Sequence, residues 1–259
     1  MAATKKAEGH EPLFHIVKRP AVAWWRAWLI RIGAVIAALL VAGIVTLALT
    51  GENPISVYGT MIKSSFGTNR RVWQLLQNIA MLLCVALAVT PAFRMRFWNI
   101  GAEGQVLIGG LATAACMITL GGKVPDGVLI LIMAVAAIVA GAIWGVIPAF
   151  FKANWGTNET LFTLMMNYVA MQLVQFFVVK WEVPKGSGKV GIINQDTHAG
   201  WLPTIGDNSY LLNIIIVALI VVILFVYLRY SKHGYEISVV GESENTARYI
   251  GINVKRVII

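Results

Sequence analysis

The 259-residue chain is 58 % hydrophobic and only 13 % charged, with a mean hydropathy of +0.73, so lipid must serve as much of its solvent and a soluble globular domain is excluded. Its formal net charge of +9 is distributed between apolar runs instead of forming one basic stripe. That pattern orients a membrane protein and does not point to nucleic-acid binding.

Residues 1–27 read as a polar, charged N-terminal tail on the cytoplasmic side, with no cleavage site ahead of the first apolar run. Residues 28–259 read as one transmembrane domain. Its expected spans are Trp28–Leu49, Gln74–Ala92, Glu103–Leu120, Val128–Phe150, Thr160–Val179 and Tyr210–Leu228. Each approaches the ~20 residues that cross a bilayer. A seventh begins at Val254 and is cut off at Ile259, so the chain reads as a fragment. The fold class is therefore all-α, a polytopic transmembrane helical bundle of six spans plus the start of a seventh. With the N-terminus in the cytoplasm, 14 of the 21 Lys and Arg residues fall inside and seven outside, the bias expected of a cytoplasmic N-terminus in the cell membrane. Trp24, Trp25, Trp28, Trp73, Trp98, Trp155, Trp181 and Trp201 lie at or beyond span ends, where amphipathic rings favour the headgroup layer.

The second and third spans have short apolar cores, separated by an interrupted helix region around 91–105. Gly/Pro-interrupted segments of this kind mark binding sites in transporters, because non-helical backbone at membrane depth survives only when buried in protein or lining a watery cavity. Asn99, Glu103 and Gln105 place polar groups there, beside the free N–H groups of a helix start. The competing reading is an ordinary cytoplasmic loop whose Glu103 complements the helix dipole. In the fourth span Ala137, Gly141 and Gly145 recur every four residues, a face for close helix approach. In the fifth, Glu159, Thr163 and Asn167 share one helix face, with Tyr168, Gln172 and Gln175 beside it. So many amides do not face lipid. For Asn167 and Tyr168, substrate contact and inter-helix hydrogen bonding remain equally open.

Within the cytoplasmic loop 231–256, Ser243–Ile250 reads as a short polar helix, capped by Ser243 or Glu242 and ended by Gly251. Cys84 and Cys116 sit in apolar runs as packing residues. No His/Glu metal spacing, nucleophile elbow or phosphate-binding glycine loop is present. The chain is expected to be no enzyme, with neither catalytic residues nor a cofactor or metal.

Three ordered blocks carry a resemblance. They are Trp98-Asn99-Ile100-Gly101-Ala102-Glu103-Gly104-Gln105, then Thr157-Asn158-Glu159 with Met166-Asn167-Tyr168-Val169-Ala170, then Gly234-Tyr235-Glu236-Ile237 with Val240-Gly241 and Ala247-Arg248-Tyr249-Ile250-Gly251-Ile252. From about Asn53 to the last residue the chain resembles ABC importer permeases of the nucleoside and simple-sugar type, within the wider group of ribose and branched-chain amino-acid permeases. The resemblance implies alternating access driven by a cytoplasmic ATP-binding subunit, a second permease subunit and an extracytoplasmic substrate-binding protein, often a lipoprotein. It also implies that Gly241, Glu242, Ala247, Arg248 and Gly251 belong to the element that couples to the ATPase. The rival expectation is an ion-coupled secondary transporter, with Glu103 or Glu159 as the proton or sodium site.

Overall fold

The computed structural model describes residues 23–206 and 208–259. Nearly all of the proposed tail therefore lies outside the described residues, and the first helix already begins at Trp24. The chain divides into two units, residues 1–67 and 68–259.

The first unit holds α1 (Trp24–Thr50) and α2 (Pro54–Phe66). α1 is almost continuously apolar and ends at Gly51, whose φ of 71° permits the left-handed turn that a side chain would resist. Asn53 then caps α2 by accepting from the Ile55 N–H at 3.0 Å, with Pro54 at the first helical position. α2 packs on α1, where a methyl group on Gly43 would lie 3.3 Å from Pro54 Cβ. The Tyr58 hydroxyl donates to the Leu39 carbonyl at 2.6 Å. α2 was not among the expected elements. Its mixture of Ser, Thr, Tyr and Lys with Ile and Met hides it from a search for continuous apolar runs.

The second unit holds α3 (Asn69–Arg94), α4 (Ala102–Leu120), α5 (Asp126–Trp155), α6 (Glu159–Trp181), α7 (Leu211–Tyr230), α8 (Lys232–Glu242), α9 (Glu244–Tyr249) and α10 (Val254–Ile258). Together with α1, helices α3 to α7 make six that are long and apolar enough to cross a membrane, and the chain is a multi-pass membrane protein. α4 packs against both α5 and α6, and α3 against α7. The Ala137/Gly141/Gly145 face allows the α4–α5 contact: a methyl on Gly109 would lie 3.4 Å from the Ala137 carbonyl oxygen, and one on Gly141 3.7 Å from that of Gln105.

α3 continues through Pro91 to Arg94, so the interruption narrows to Met95–Gly101. Pro91 sits inside the helix, close to its C-terminal end; it has no N–H to donate to the preceding turn, and the helix stops within one turn of it. After α6, a long loop seals the ends of α4 and α5. Asn194 Nδ2 donates to the carbonyls of Met117 and Ala199 at 3.1 and 3.0 Å, and Ala199 is buried with Leu129 and Met133. At the loop's start the backbone N–H groups of Gly186 and Gly188 each donate to the Glu182 carboxylate at 2.8 Å. Those bonds, with Lys185 adding a smaller attraction, hold its carboxyl below the usual carboxylate value despite the opposing effect of burial.

Candidate functional site

The interruption between α3 and α4 is an ordered turn. At the end of α3, Phe97 N–H donates to the Ala92 carbonyl at 2.9 Å and Arg96 N–H to that of Phe93 at 3.0 Å. This is the paired-bond helix stop in which the last residue adopts a left-handed conformation. Arg96 occupies that position at φ 59°, where glycine is usual.

Beyond it, side chains of α6 satisfy the exposed backbone. The Ile100 N–H donates to Thr163 Oγ1 at 3.2 Å. Asn167 Nδ2 donates to the Ile100 carbonyl at 2.9 Å, and its Oδ1 accepts from the Gly104 N–H at 2.8 Å. Asn99 Oδ1 accepts from the Gly101 N–H at 2.8 Å. One amide, only 4 % exposed, thus bridges the non-helical segment and the first turn of α4, two places where buried backbone would otherwise be unpaired. The fit leaves no space at Gly104, where a methyl would lie 2.8 Å from Asn167 Oδ1 and 3.1 Å from Trp144 Nε1. That indole N–H is buried with no hydrogen-bond partner among the described residues.

On the opposite side of this turn lies a cavity of about 790 Å³ bounded by α3, α4, α5 and the end of α10. Its polar side chains are Asn99, Gln105 and Thr113; alanine, glycine and other apolar residues form most of the rest, and among the described residues no charged one lines it. The structure therefore brings Asn99 and Gln105 together in one cavity. Asn167 does not line it and instead supports its rim from behind. Glu103 is exposed on the outer face of α4 and Tyr168 is 61 % exposed on α6. Glu159 forms a 2.8 Å ion pair with Lys152 of α5, away from the cavity.

The expected coupling residues divide by burial. Ala247 is fully buried with Val240 and Val254, and Gly241 is buried against the end of α3. Glu242, Arg248 and Gly251 are exposed, Arg248 pairing with Glu244 at 3.3 Å. Gly251 has a φ of 86°, the left-handed turn expected after α9. A second, smaller cavity of about 180 Å³ lies between these helices and the turn, lined by Arg96, Lys152, Glu242 and Glu244 among others. Thr113, Met95 and Phe97 were not among the residues expected to matter. Met95 and Phe97 carried no polar signal, and Thr113 stood alone in an apolar run. No group of His, Cys, Asp and Glu able to hold a metal occurs among the described residues.

The model of the family described as the branched-chain amino acid transport system permease component matches residues 71–259. The chain is 29 % identical over 246 residues to the glucose ABC transporter permease of Haloferax volcanii, covering 91 % of this chain and 64 % of that protein. It is 30 % identical over 220 residues to the guanosine ABC transporter permease of Bacillus subtilis, covering 84 % and 62 %. To the nucleoside ABC transporter permease of Lactococcus lactis it is 28 % identical over 242 residues, covering 90 % and 66 %. The chain thus spans about two thirds of the length of these relatives. No solved structure matches it.

Proposed function

The chain belongs to the family of branched-chain amino acid transport system permease components, a family of transport permeases and not of enzymes, and we propose that it is the membrane-spanning permease of an ATP-driven importer for a nucleoside or simple sugar. The observation that carries the solute class is the cavity. At about 790 Å³ it is of a size that holds a small-molecule ligand. A zwitterionic amino acid entering it would lose its hydration without meeting a charge among the described residues that line it, at a cost of several kcal/mol per ion. A neutral solute rich in hydroxyls and ring nitrogens meets suitable partners in the Asn99 and Gln105 amides and the Thr113 hydroxyl. The relatives named for guanosine, nucleosides and glucose agree with that chemistry.

In this reading Asn99 and Gln105 contact the solute, while Asn167 holds the turn that presents Asn99. The N-terminus and the loop carrying α8 and α9 face the cytoplasm, in the cell membrane, where the exposed Arg248 and the neighbouring Tyr249, 92 % exposed, meet an ATP-binding subunit that performs the hydrolysis. The ordered loop after α6 faces outward, toward a substrate-binding lipoprotein, and a second permease subunit completes the pathway. Ion coupling is less well supported: neither Glu103 nor Glu159 lines the cavity, and Glu159 is already paired.

The test is uptake of tritiated guanosine, uridine, glucose and leucine by cells with and without the intact gene. ATP-dependent uptake of a nucleoside or sugar, lost with the gene, is expected. Uptake of leucine alone, or uptake that survives ATP depletion and collapses with the ion gradient, would overturn the proposal.

A further inference from the structure

The junction of α3 and α8 joins two parts of the unit that sequence reading kept separate. Gly241, in the last turn of α8, has no room for a side chain. A methyl there would overlap the Arg94 carbonyl oxygen and approach Met95 Cα to 3.1 Å, so the two backbones touch. Next to that contact, the Met95 side chain packs on the buried cluster of Val240, Ala247 and Val254, which ties α8, α9 and α10 together. Met95 and Phe97 also line the 790 Å³ cavity, and both line the smaller cavity beside Glu242 as well. The Met95–Phe97 turn is therefore the wall between the two spaces.

That wall is stiff. The Phe97 and Arg96 N–H groups are bound to α3 carbonyls, Phe97 is itself buried, and the chain beyond is clamped by Thr163 and Asn167. Close-packed, hydrogen-bonded elements pass on a displacement instead of absorbing it.

We propose that Met95 is a positioning residue through which movement of the α8–α9 pair reaches the solute cavity, with Gly241 as the backbone contact that keeps it seated. The proposal rests on the importer reading, since it needs a motor to move α8 and α9. In the smallest version of the motion, α8 pushes the end of α3, the turn shifts as one piece, and Met95 and Asn99 move together at the cavity wall. A solute held by Asn99 would be released or admitted without any change in the side chains that bind it.

The experiment uses the full-length permease reconstituted in liposomes with its ATP-binding subunit and substrate-binding protein, and reads molecules of tritiated guanosine (or of whichever tested solute the wild type carries) imported per ATP hydrolysed. A purely structural defect lowers import and hydrolysis together and leaves this ratio unchanged. Met95→Ala is expected to lower the ratio about tenfold, and Met95→Leu, which refills the volume, to restore it to within twofold of wild type. Met95→Val, a gentler change should the alanine variant not assemble, is expected to lower it severalfold. A wild-type ratio in Met95→Ala, or in Met95→Val where that variant stands in for it, overturns the proposal while leaving the importer reading intact. A wild-type complex that hydrolyses ATP but imports no tested solute overturns the importer reading and this proposal with it.

Discussion

Replacing Asn167 with alanine removes both hydrogen bonds that its side chain makes, to the Ile100 carbonyl at 2.9 Å and from the Gly104 N–H at 2.8 Å. Both backbone groups then lie unpaired in a site where the amide itself is 4 % exposed. In soluble proteins each such orphan costs about 1–3 kcal/mol, which gives about 2–6 kcal/mol for the pair. Inter-helix hydrogen bonds within membranes average nearer 0.6 kcal/mol, which gives about 1 kcal/mol. The two scales bracket the expectation at roughly 1–6 kcal/mol, enough to lower abundance and thermal stability of the purified permease. Gln105→Ala is the control, because Gln105 lines the cavity on the other side of the turn. It should leave the unfolding temperature near wild type and raise the KM for uptake. The assay pairs fluorescence-detected thermal unfolding in detergent with uptake kinetics in whole cells. Asn167→Ala with an unchanged unfolding temperature and a raised KM would refute the reasoning, and would make Asn167 a solute ligand instead of a brace.

Gly104→Ala should destabilise by about 1–3 kcal/mol through overpacking, because its methyl would lie 2.8 Å from Asn167 Oδ1. Combined with Asn167→Ala the loss should fall well short of the sum, which thermal unfolding of the single and double variants checks. Glu182, outside the spans, has a folded carboxyl pKa below its ordinary value of 4.5. Its bonds to Gly186 and Gly188 therefore add stability above the unfolded value, and that stability is lost as pH falls through the folded one. Hydrogen-exchange protection at Gly186 and Gly188, compared with Glu182→Gln across pH 7 to 3, should converge with the variant at the acid end; parallel profiles would refute it. A Ser243→Cys variant without the two native thiols should react with an impermeant maleimide only after the cytoplasmic face is opened, and labelling of intact cells would reverse the topology.

What the sequence could and could not disclose follows from the range over which each signal acts. Spans are local: apolar length alone placed α3 to α7, and the polar face of α6 was visible as Glu159, Thr163 and Asn167 at a four-residue spacing. Periodicity says which side of a helix is polar but not what stands opposite. Asn167 meets Ile100 and Gly104 across more than sixty residues of chain, so nothing near it distinguished a brace from a ligand. α2 escaped because its apolar residues are interspersed with hydroxyls, which bond to its own backbone, as Thr60 does to Ser56 and Ser65 to Met61. Gly241 and Ala247 carry the same lesson from the opposite direction. Both lie in a polar loop, where small residues suggest a free docking surface, yet both are buried. A glycine that must touch another backbone and a glycine that merely turns the chain have the same letter, and only the position of Arg94 opposite Gly241 separates them. The docking element proposed here therefore has two sides. Arg248, Tyr249 and Ile250 face outward, while Gly241, Val240 and Ala247 fasten it to the turn that carries Asn99, so a force applied to the first set cannot avoid the second.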